Sequence, residues 1–137
     1  MSSMDKQKYL IFFLRLGGAA MLLAFLAIFM PTAWMDYVHQ LVGLGPLPDA
    51  PLTQYLTRTI SVLYAMHGSL FILMSRDVER FRPVITFLAL WNMALGVLYT
   101  GIDIKAGLPI FWVLFEGPPI GCMGILLFVL NRDPGSS

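Results

Sequence analysis

The chain has 137 residues, one domain's length, of which 58% are hydrophobic and only 12% charged, with a net charge of +1. A soluble domain could not hide that much apolar surface, and a mean hydropathy of +0.75 points to an integral membrane protein. The near-neutral charge and lack of a basic run exclude a nucleic-acid binder, and a single cysteine, Cys122, excludes an internal disulfide or a cysteine-based metal cluster.

Four stretches approach the ~20 apolar residues that cross a ~30 Å hydrocarbon core. They predict an all-α integral membrane four-helix bundle, a single membrane domain over residues 1–137. The first span is Tyr9–Met30, longer than a signal-peptide core and followed by "IFMPTAWMD", which offers no clean cleavage site. It carries Arg15 about six residues deep, ~9 Å along the helix, within reach of the headgroups for a snorkelling side chain. Gly17, Ala20, Ala24 and Ala27 form a small-residue face suited to helix packing.

Residues 32–44, "TAWMDYVHQLVGL", are amphipathic: Trp34, Met35, Tyr37, Val38, Leu41, Val42 and Leu44 share one side, and Asp36, His39, Gln40 and Gly43 the other. Pro31 closes the first span and Thr32 is the expected N-cap. The segment reads as an interfacial amphipathic helix between spans 1 and 2.

The turn-rich "GLGPLPDAP" leads into span two, Leu52–Ser75, with Arg58 near its start and His67 deeper. "RDVER" separates it from span three, Pro83–Gly101, where Asn92, Gly96, Tyr99 and the following Asp103 fall at i, i+4, i+7 and i+11 on one stripe. That stripe is either a glycine-permitted helix contact with Asn92 bonding across it, or a polar wall facing a cavity. Span four, Leu108–Leu130, holds Glu116 beside Gly117, Pro118 and Pro119. Because proline lacks an amide donor and disfavours helix in the residue before it, "FEGPP" is expected to interrupt this span, with a new half-helix starting near Pro118. Cys122 reads as a small buried thiol. The polar tail "NRDPGSS" reads as frayed.

Lys6, Lys8, Arg76, Arg80, Arg82 and Arg132 fall on one side of the spans, against Lys105 in the opposite loops. Both termini and loop 76–82 are therefore expected in the cytoplasm, the interfacial helix on the outer side, and the bacterial inner membrane is the expected location. Ionisable groups at membrane depth call for partners. His67 can pair uncharged with Asn92. Arg58 can pair with Glu116 and Asp103, or these groups with Tyr99 can line an outward-facing polar pocket. Glu116 and His67 are the candidate acid or base, and Arg58, Asn92, Tyr99 and Asp103 the candidate ligand-binding groups. A metal site is not expected, for want of ligands. No cofactor is expected either, haem on His67 with a methionine, or a quinone, being the alternatives.

From "PTAWMDYVHQLVGLGPLPDAPLTQYLTR" through "SVLYAMHGSLFILMSRDVERFRPVI" and "GIDIKAGLPIFW" to "EGPPI", the chain resembles a small bacterial, planctomycete-type family of four-span membrane proteins. That resemblance implies the four-span topology and no particular reaction. "FLRLGG" and the helix before span two are also similar to DoxX-like four-helix membrane proteins, some of which are linked to quinone-dependent redox chemistry. Span two here lacks the acidic residue of that group.

Three functions follow. The first is an accessory or binding subunit of a larger membrane assembly, with the lipid bilayer and either other membrane subunits or further copies of the chain as partners. The second is a lipid- or quinone-binding protein or enzyme using the outward pocket. The third is a small transporter subunit, which the one-sided charge distribution and the tightness of four helices disfavour.

Overall fold

The computed structural model describes residues 3–132, and every regular element among them is a helix. These are α1 (Ser3–Leu22), α2 (Ala24–Phe29), α3 (Thr32–Leu41), α4 (Pro51–Met74), α5 (Arg82–Ala106) and α6 (Ile110–Asn131). Four stretches are long and apolar enough to cross a membrane: Met4–Phe29, which runs through α1 and α2, and then α4, α5 and α6. The expected frayed tail, residues 133–137, lies outside the described residues.

The spans match the sequence pattern apart from their ends. The first helix starts six residues before Tyr9, because a polar first turn with Asp5 suits a helix N-terminus. Leu23 separates α1 from α2 yet keeps helical torsions and bonds its N–H to Ala19 O at 3.2 Å, so the apolar path continues. α5 runs five residues past Gly101. It stops where Gly107 (φ 71°) turns the backbone left-handed and the Gly107 and Leu108 amides bond back to Ile104 and Asp103 carbonyls, both at 3.1 Å.

Two compact units make up the chain, one of Arg15–Leu73 and the other of Met1–Leu14 with Met74–Ser137. In the first, α1 and α4 are antiparallel and approach at two buried glycines. A Cβ on Gly68 would lie 2.6 Å from Gly18 O, and one on Gly18 2.9 Å from Gly68 O. The packing face therefore runs through Gly18, not along the expected line of Gly17, Ala20, Ala24 and Ala27. Ala20 is exposed and the other three half-buried, because each step around a helix is about 100° and Gly18 is one step off that line. α3 begins at Thr32 itself, with Pro31 as N-cap and no side-chain cap bond, so Thr32 is not the cap. Gly43 (φ 77°) ends it with the same left-handed turn, the Gly43 and Leu44 amides returning to Gln40 and His39 carbonyls.

In the second unit α5 and α6 form an antiparallel pair. Asn131 Nδ2 donates to Arg82 O and Thr86 Oγ1, both at 2.9 Å, at one end. Gly124 packs on Ala89 and Met93, Gly121 on Gly96, and Gly117 on Gly96 and Thr100 toward the other. A Cβ on Gly96 would stand 2.6 Å from Gly121 Cα, so the two backbones touch.

Two expectations fail here. α6 is continuous through Pro118 and Pro119, so no half-helix starts at Pro118. Proline torsions are helical, and the residue ahead of Pro118 is Gly117, whose missing Cβ removes part of the clash that normally expels a pre-proline residue from the helix. Contacts at Gly117 on one side and Gly121 and Gly124 on the other hold the helix path across the prolines. Cys122 is exposed rather than buried, since it sits one step off the glycine face.

Candidate functional site

The candidate residues are divided between the units: Arg58 and His67 lie in Arg15–Leu73, and Asn92, Tyr99, Asp103 and Glu116 in the other. Each group is described within its own unit.

Arg58 is seven residues into α4 and half-buried. Its Nε donates to Ile28 O at 3.2 Å, Nη2 to Met30 O at 3.4 Å and Nη1 to Gln54 Oε1 at 3.4 Å. Ile28 and Met30 end the first span, where helix carbonyls lack amide partners and carry partial negative charge. Arg58 thus works as a cap across two helices, an explanation for a cation at this depth that requires no ligand. His67 stacks at a tilt on Phe71, ring centroids 4.9 Å apart. Its Nε2 is buried without a hydrogen-bond partner among the described residues.

On α5 the stripe faces inward. Asn92 and Asp103 are 3% and 5% exposed, Gly96 is buried and Tyr99 half-buried. At Gly96 the stripe is a close helix contact, as the first of the two sequence readings has it. Asn92 Nδ2 and Asp103 Oδ2 are nonetheless buried without hydrogen-bond partners among the described residues. Such orphans are rare.

Glu116 behaves differently. It is half-buried, six residues or ~9 Å into α6, and its Oε2 accepts the indole N–H of Trp112 one turn earlier. Trp112, Phe115, Glu116, Pro119 and Ile120 line a shallow notch of about 330 Å³, all five from one face of α6. Phe115 is 80% exposed. A carboxylate therefore stands on the outward side of an apolar helix, held by an aromatic donor.

Sequence reasoning missed three features. Trp112 and Glu116 are an i, i+4 pair, so "WVLFE" already carried the bond. "GPPIG" contains a G-x-x-x-G spacing, a packing signal read instead as a breaker. The third is a clasp on α3. Asp36 Oδ1 accepts the Leu47 N–H at 2.7 Å and its Oδ2 the Gln40 side chain at 2.8 Å, while His39 Nδ1 donates to Gly45 O at 2.7 Å. The Leu47 amide, then Gln40, holds the Asp36 carboxyl below its ordinary value. His39 is thereby a loop tie. Among the described residues no three His, Cys, Asp or Glu side chains gather as metal ligands. Compared with protein families, curated proteins and solved structures, the chain matches none.

Proposed function

We propose that this protein is a binding subunit of a larger membrane assembly, and that the outward face of α6 around Glu116 receives a helix of another membrane protein. The observation that carries this reading is the position of Glu116. Lipid tails offer a carboxylate nothing, so a polar group on the outward side of a spanning helix marks a protein contact or a functional site. The notch suits a helix: residues 112, 115, 116 and 119 are four neighbours of one surface, the arrangement that accepts a knob from a facing helix.

The finer membrane placement belongs to the same proposal. Four spans form a bundle in a bacterial inner membrane, with loop 76–82 and both termini cytoplasmic by the distribution of Lys and Arg. α3 lies in the outer interface. Supporting this, Trp34, Tyr37, Val38 and Leu41, at i, i+3, i+4 and i+7, are all exposed and form an aromatic-bearing apolar stripe.

Native mass spectrometry of protein drawn gently from its own membrane tests the reading. The wild type is expected to arrive with a defined protein partner. The Glu116→Leu variant should arrive alone with unchanged helix content by circular dichroism. A wild type that arrives alone, or with only a stoichiometric lipid or quinone, refutes the assembly role.

A further inference from the structure

We infer that the occupant of the α6 notch is a membrane-spanning helix carrying a lysine or arginine at the depth of Glu116. This rests on the docking reading above and names the chemistry of the partner.

Charge is the first ground. Among the described residues Glu116 has one hydrogen-bond partner, Trp112, which engages Oε2 and leaves Oε1 for a second donor. Asp103, in the same unit, is also a buried acidic side chain whose Oδ2 has no partner among the described residues. A notch whose one acidic group meets a single neutral donor has no positive partner of its own, and a carboxylate at membrane depth without a counter-charge is unfavourable by several kcal/mol or more. A cation from outside the chain supplies what is missing.

The lining narrows the class of cation. Trp112 and Phe115 line the notch beside Glu116, and an ammonium or guanidinium group is the donor that gains from aromatic rings as well as from the anion. Depth then selects its carrier. Glu116 is ~9 Å along the helix from Ile110, below the level at which headgroup amines lie, whereas a helix-borne lysine or arginine reaches that level and can snorkel from it. A second copy of this chain fits poorly. Copies inserted in the same direction would bring Glu116 against Glu116 at one depth, and like charges facing each other in an interface repel by several kcal/mol.

The test uses full-length protein labelled at its N-terminus and synthetic spanning helices of leucine and alanine in vesicles, with association read by energy transfer. One helix carries a single lysine at the depth of Glu116, a second carries leucine there, and a third carries its lysine at the opposite end. The lysine helix should bind about tenfold or more tightly than the leucine helix, as close charge pairs in interfaces do. Glu116→Gln, which keeps size and hydrogen bonding, should remove most of that preference, and moving the lysine should abolish it. Equal binding of the lysine and leucine helices, or a lysine preference that survives Glu116→Gln, overturns the inference. So does Glu116-dependent self-association of the protein without any added helix. If a native partner co-purifies in a Glu116-dependent way while the lysine helix shows no preference, the chemistry assigned to the partner fails and the docking role stands. If neither occurs, both fail.

Discussion

Replacing Gly96 by alanine separates tight packing from mere helix preference. The new Cβ would stand 2.6 Å from Gly121 Cα and 2.7 Å from its nitrogen, where ordinary contact begins at 3.4 Å. The obstacle is backbone, so α5 and α6 must part locally by roughly 0.8 Å. Overpacking of this kind is unfavourable by about 1–3 kcal/mol. Alanine's usual advantage over glycine, up to about 1 kcal/mol in a helix, offsets little, because a span unfolded within the membrane remains helical. The net expectation is a loss of about 1–3 kcal/mol. Gly121→Ala is the matched control: its Cβ meets Gly96 Cα at 3.6 Å, an ordinary contact, and the variant should lie within about 0.5 kcal/mol of wild type. Gly101, with nothing within 4 Å of its Cβ position, should accept alanine without loss. The assay is unfolding in mixed micelles of rising denaturing-detergent fraction, followed by tryptophan fluorescence. A Gly96→Ala variant as stable as wild type, or a Gly121→Ala variant equally damaged, would refute the asymmetric contact.

Two further outcomes are expected. Arg58→Met removes the donors to Ile28 O and Met30 O and should lower stability in the same assay by about 1–3 kcal/mol, with Arg58→Lys recovering part of it. The Asp36 clasp should respond to acid: because the folded carboxyl titrates below its ordinary value of about 3.9, its contribution is complete above that pH and is lost as pH falls through the lower folded value. The Leu47 amide resonance in NMR should shift in that acidic window, and Asp36→Asn should abolish the transition.

The four long helices were legible because each carries about twenty predominantly apolar residues, and the inward stripe Asn92–Gly96–Asp103 because its spacing is helical. The failures have a common source. Composition tells which residue types are present but not which face of a helix meets a neighbour. Gly117 fell in the expected interruption beside two prolines, yet it is the residue whose missing Cβ lets Thr100 and Gly96 approach α6. Gly18 and Gly17 are equivalent by composition, and a single 100° step decides that Gly18 takes the contact. Arg58 was legible as a cation wanting acceptors. That its acceptors include backbone carbonyls at the end of the first span depends on tertiary placement, which no local pattern carries. The Trp112–Glu116 bond was readable from its i, i+4 spacing upstream of the prolines.

The two glycine contacts differ in how far apart their partners lie along the chain. Gly96 meets Gly121 across the three-residue connection Gly107–Pro109, whereas Gly18 must wait for Gly68, at twice the sequence separation. Shorter closure is the less demanding entropically and the faster to form. During synthesis, therefore, the last two helices are suited to enter the bilayer already paired, as a hairpin whose backbone surfaces are matched before any other partner is sought. The contact of α1 with α4 closes a loop twice as long, at an entropic cost about 0.6 kcal/mol greater, and is the later of the two to form.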